Sequence, residues 1–159
     1  MTLLPWFEWC EASALGSGIR ASKWLFPVIE SVHLLGLAAL GGALLIVDLR
    51  LLGLGLRKQP VARLARDVQP WLVGSVLVLL GTGVSLFLSE AVKCYYSTPF
   101  WVKITTIPLA LLFTATVRQR VVTSAEASAR PLLSKLVGLV SILLWVTVAA
   151  AGRWIGFSG

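Results

Sequence analysis

Hydrophobic positions in this chain fall into four long runs rather than into spaced stripes. The first, Trp24 to Leu54 (WLFPVIESVHLLGLAALGGALLIVDLRLLGL), has no charge between His33 and Asp48. A helix crossing a bilayer core needs roughly 20 mostly apolar residues, so this run predicts a transmembrane helix. Three more runs follow at about 70–89, 101–117 and 136–154. Polar, basic stretches separate them, and 61–68 could form a short surface helix. Pro70 and Trp71 open the second span, since proline at a helix start loses no hydrogen bond. Pro108 should kink the third. Residues 3–15, LLPWFEWCEASAL, are too short to cross. Trp6, Phe7 and Trp9 interleave with Glu8 and Glu11, which predicts a short interfacial helix that Gly16, Ser17 and Gly18 then break. The expected fold is all-α: one integral membrane domain over 1–159, a four-helix bundle with an N-terminal interfacial helix.

Composition agrees with this pattern. The chain is 57% hydrophobic and 13% charged, where a soluble domain carries about 25% charged residues. The net charge of +7 raises nucleic-acid binding, but the basic residues sit in short loops, where they act as topology signals. No nucleic-acid partner is expected. Nine of the fourteen basic residues lie in 50–66 and 118–135: Arg50, Arg57, Lys58, Arg63, Arg66, Arg118, Arg120, Arg130 and Lys135. The positive-inside rule puts those loops in the cytoplasm and both termini outside. Trp6, Trp9, Trp24, Trp101 and Trp154 then gather at the outer interface. Glu8 and Glu11, with no basic residue before Arg20, give the start of the chain the wrong polarity for a cleaved signal peptide. Cys10 and Cys94 have no CxxC spacing and fall on the same oxidising side. A bond between them requires Cα atoms within about 7 Å.

The candidate chemistry lies on the first span. Charged groups at membrane depth are costly and mark function. Glu30 and the sole histidine, His33, are three residues apart and share a helix face. Glu-x-x-His pairs bind metals inside helix bundles, although known di-metal sites need two pairs and more carboxylates. The alternative is a carboxylate–imidazole hydrogen bond in a buried polar niche. Glu90, Lys93 and Lys103 belong to the same outer side, and Lys103 can snorkel or pair with Glu30 or Glu90. Such a cluster could hold a cofactor carboxylate or neutralise itself. Asp48 is expected to pair with Arg50 at the inner interface. There is no phosphate loop, HExxH or dinucleotide turn. One histidine cannot supply both ligands of a bis-histidine haem, so a b-type haem would need a second ligand of another type or from another subunit.

ESVHLLGLAALGG…DLRLLGL, followed by PW…GTGVSLFLSEAVKCYYSTPFWVK, resembles a bacterial family of four-span membrane proteins that is a domain of unknown function. The likeness covers about residues 24–118 and implies the bacterial inner membrane. More distantly, the early histidine and the Thr-Gly span followed by Phe-Trp-x-Lys resemble the copper-resistance protein D and HemJ-type protoporphyrinogen oxidase superfamily. That resemblance implies association with haem or copper, with His33 as ligand and Lys103 as partner charge. The chain departs from it in lacking further histidines and Met-rich outer segments.

Three readings follow. One is a membrane redox protein holding b-type haem or a transition metal at His33 and Glu30, with Lys103 and Glu90 nearby. Another is a non-catalytic subunit of a homo-oligomer or larger membrane complex. A third is metal or proton permeation.

Overall fold

The computed structural model describes residues 2–56, 58–123 and 130–157, and all regular elements among them are helical. Four are long and apolar enough to cross a membrane: α3 (Leu25–Leu52), α4 (Val61–Ser89), the continuous stretch Thr98–Thr123, and α8 (Pro131–Ile155). The stretch Thr98–Thr123 is α6 (Thr98–Phe113), a π-helical turn (Thr114–Arg118) and α7 (Gln119–Thr123). Three short helices sit at its ends and before α3: α1 (Leu4–Glu11), α2 (Ala14–Ala21) and α5 (Ala91–Tyr96). The all-α membrane bundle expected from the apolar runs is the observed fold. Large side chains such as Leu35, Leu77, Leu112 and Leu143 point outward and stay exposed, as a lipid-facing surface requires.

α3 packs on α4 and α8, and α8 packs on α6. At the end bearing both termini, Phe7 and Cys10 of α1 pack with Ala91 and Cys94 of α5 and Phe100 of α6; Phe87 and Ile155 join them. Phe7 meets Phe87 edge-on at 5.5 Å, and Phe87 stacks on Phe100 at 5.6 Å. The opposite, hairpin end has its own core: Val47 and Leu51 of α3, Leu64 and Ala65 of α4, Val121 and Val122 of α7, and Val137 of α8. Gly53 ends α3 with φ +77°, a left-handed conformation that favours glycine.

The structure differs from the expected boundaries in three places. The N-terminal interfacial segment is two helices, not one. Gly16 and Gly18 lie inside α2 because the Ser13 side chain accepts from the Gly16 amide at 3.2 Å and caps it. A Cβ on Gly16 would collide with the Leu88 carbonyl, so glycine is what lets α2 seat on the end of α4. Arg20 then donates to Ser89 O at 2.9 Å and Glu11 O at 2.7 Å, and the Glu11 carboxylate accepts from the Val92 amide at 2.6 Å. Second, the surface helix expected at 61–68 is fused to the second span, and Pro70 lies within α4 rather than at its start. Burial of Leu64 and Ala65 against α7 and α3 carries the helix through the proline. Third, Arg118 belongs to the third span rather than to the basic loop, as the π-helical turn extends the helix past it.

Candidate functional site

Two polar centres lie inside the bundle, about 22 Å apart along α3 by helical rise. The first is in the half nearer the termini. His33 is half-buried on α3 and its Nδ1 lies 2.8 Å from Thr82 Oγ1 of α4. The Thr82 hydroxyl donates its one proton to the Val78 carbonyl at 2.6 Å. With the hydroxyl proton on the Val78 carbonyl, that oxygen accepts towards His33 and the imidazole proton sits on Nδ1. The lone pair of the neutral ring is then on Nε2, for which no hydrogen-bond partner occurs among the described residues. The ring packs against Gly83, where an added Cβ would meet Cε1 at 3.4 Å.

Lys103 of α6 comes within electrostatic reach of His33 and of Cys94. Its stem lies along α8 over Gly152, where a Cβ would meet Nζ at 3.1 Å. Among the described residues no carboxylate lies within ion-pairing distance of this ammonium. Glu90 instead pairs with Lys93 at 3.8 Å, on side chains 40% and 35% exposed. At that exposure the pair is worth little. Glu30 is exposed, and Thr82 rather than Glu30 holds the histidine ring. Of the four residues singled out in the sequence, His33 and Lys103 thus converge, while Glu30 and Glu90 lie to the side. Among the described residues no group of three or more His, Cys, Asp or Glu could hold a metal ion.

Cys94 lies just outside the spans, buried near this centre. Burial, with the Glu90 charge adding to it, pushes its thiol up to about 11. Cys10 and Cys94 are both free and share the aromatic cluster of the terminal end.

The second centre is near the hairpin end. Asp48 does not pair with Arg50. Its Oδ1 accepts from Arg118 Nε at 2.7 Å and its Oδ2 from Ser141 Oγ at 2.6 Å, and all three residues are buried. The ion pair thus joins α3, the π-helical turn and α8. One turn earlier, Trp145 Nε1 donates to Thr114 Oγ1 at 3.1 Å. Arg118 directly follows the apolar run TATV, but as the first residue of the basic RQR it reads as loop. Thr82 and Ser141 left no signal, because threonine and serine in a span normally bond their own helix.

Gly36, Leu40, Ala43, Leu44 and Val47 are the buried residues of α3 between the two centres. They offer no polar group, so the centres are not joined along this helix.

No curated protein and no solved structure matches this chain. Residues 6–158 match a family of unknown function (DUF6644), which covers both polar centres and all four spans. The chain belongs to that family.

Proposed function

We propose that this protein is a redox-associated membrane subunit that binds b-type haem through His33, in the half of the bilayer nearer the termini. The observation that carries the proposal is the 2.8 Å contact between His33 Nδ1 and Thr82 Oγ1. Thr82 holds Nδ1–H, leaving the Nε2 lone pair for iron, as second-shell bonds do for ligating histidines. Lys103 supplies a positive charge without a carboxylate partner among the described residues, suited to a cofactor's acid group. The residues present would hold a haem through one protein ligand, His33, with Lys103 facing its acid group. Haem when bound supplies one-electron chemistry. The residues named here would hold, orient and charge-balance it. Glu30 and Glu90 would lie at the rim rather than on the iron. The likeness to the copper-resistance protein D and HemJ-type group belongs to this proposal.

The membrane is the bacterial inner membrane in this reading, with the basic loops in the cytoplasm and both termini outside. The support is the gathering of basic residues at the hairpin end, Arg50, Lys58, Arg63, Arg66 and Arg120 among them, Arg118 itself being buried in the third span.

A non-catalytic subunit of an oligomer or larger complex is the second reading. It is favoured by the buried Asp48–Arg118–Ser141 set and the His33–Thr82 bond, each of which serves helix packing alone. A visible spectrum of protein purified from native membranes separates the two. A Soret band that moves or weakens in Lys103→Met supports the first. A colourless protein free of metal leaves the second.

A further inference from the structure

A lateral cleft of about 350 Å³ opens between α4 and the third span, in the half nearer the hairpin end. Its walls are aliphatic: Leu72, Val76 and Leu77 of α4 face Leu111 and Ala115. Its floor is polar, made by Gln69, Arg118 and Gln119. Arg118 is already committed to Asp48, but among the described residues no carboxylate bonds the two amides. Beside the floor residues in sequence stand two exposed arginines. Arg66 stands one turn below Gln69 on α4, and Arg120 follows Gln119. The nearby acid, Asp67, lines a different hollow against α3 and does not neutralise this rim. An apolar slot with amides at one end, and two exposed arginines beyond those amides in sequence, matches an acyl chain below an anionic headgroup. It does not match another apolar helix, which would leave the floor unpaired.

We propose that this cleft is a binding site for an anionic phospholipid, one acyl chain lying between α4 and the third span and the phosphate resting on Arg66 and Arg120 with Gln69 and Gln119. Basic pockets between spans recognise acidic headgroups in this way. The site is separate from His33 and does not depend on the haem reading.

The test uses the full chain, purified in detergent and given dioleoyl phosphatidylglycerol or dioleoyl phosphatidylcholine, with bound lipid counted by native mass spectrometry. Each arginine near an anionic headgroup contributes about fivefold in affinity, so Arg66→Gln/Arg120→Gln should lose about 25-fold for phosphatidylglycerol. Phosphatidylcholine, whose choline offsets its phosphate charge, should lose clearly less in that variant, so the preference for phosphatidylglycerol falls. Both positions are exposed, so the fold is kept. Ala115→Trp, which fills the slot from an exposed position, should abolish retention of either lipid. Helicity and elution volume confirm that each variant folds. Equal retention of the two lipids by the wild type overturns the proposal. So does retention unchanged by Ala115→Trp, or two copies of an Ala115→Cys variant joined by a disulfide on oxidation.

Discussion

Removing Arg118 should be the most damaging change inside the bundle. The Asp48 carboxylate is fully buried, and among the described residues its partners are Arg118 at 2.7 Å and Ser141 at 2.6 Å. Arg118→Met keeps much of the side-chain volume but leaves a buried carboxylate with one hydroxyl. Breaking a buried pair in this way costs about 3–5 kcal/mol. Hydrogen bonds between membrane helices are weaker, averaging about 0.6 kcal/mol, because the unfolded chain in a micelle also finds partners. The expected loss for Arg118→Met is therefore near the lower bound, about 3 kcal/mol. Ser141→Ala removes one neutral donor and should cost about 0.5–1.5 kcal/mol. Asp48→Leu/Arg118→Met removes both charges together and should return to within about 1 kcal/mol of wild type. Unfolding by sodium dodecyl sulfate in mixed micelles, followed by tryptophan fluorescence, of these three variants and of Asp48→Leu gives four losses and the coupling between Asp48 and Arg118. If Arg118→Met costs under about 1 kcal/mol, or the double variant is as unstable as the two single losses added, the pair does not hold the helices and the reasoning fails.

Gly16→Ala should lower stability by about 1–3 kcal/mol, because the added Cβ collides with the Leu88 carbonyl and lies 2.9 Å from that of Glu11. An unchanged melting temperature would contradict the seating of α2 on α4. Cys94 should alkylate slowly at pH 8 and faster as pH approaches its raised value of about 11. Its folded thiol binds the proton more tightly than the unfolded one. Its contribution to stability is thus complete below an unfolded value of about 8.5 and is lost as pH climbs through that of the folded thiol. Mass spectrometry after timed iodoacetamide treatment reads this, and rapid modification of the native protein at pH 8 would oppose it. Lys58→Cys, exposed at the hairpin end, should react in intact cells only with a membrane-permeant maleimide. Reaction with an impermeant one would reverse the proposed orientation.

The bundle was legible in the sequence because lipid exposure demands apolar residues all round each helix, and the four runs announce themselves. The membrane depth of His33 followed from the same runs. Partner choice was hidden, for reasons that differ from residue to residue. Arg50 is two residues from Asp48, and positions two apart on a helix do not face one another. The true partner, Arg118, opens a basic sequence RQR and so reads as loop. Only the π-helical turn, which no composition signals, keeps it in the span and directs it inward. Thr82 depends on the register between α3 and α4, which is set by packing across helices. Residues 16–18 read as a break from their glycines, yet a serine cap and a close approach to α4 make them helical. In each case local propensity was overruled by a contact distant in sequence.

The central claim rests on one imidazole nitrogen, so the most direct measurement is the visible spectrum and melting curve of His33→Ala, recorded on the same sample beside wild type and Thr82→Val. With Nε2 as the iron ligand, His33→Ala loses the Soret band while its helicity persists. Thr82→Val, which frees Nδ1, should weaken cofactor binding by about 10–100-fold. A His33→Ala protein with unchanged absorbance and a lowered melting temperature would contradict the claim and leave His33 as a packing residue.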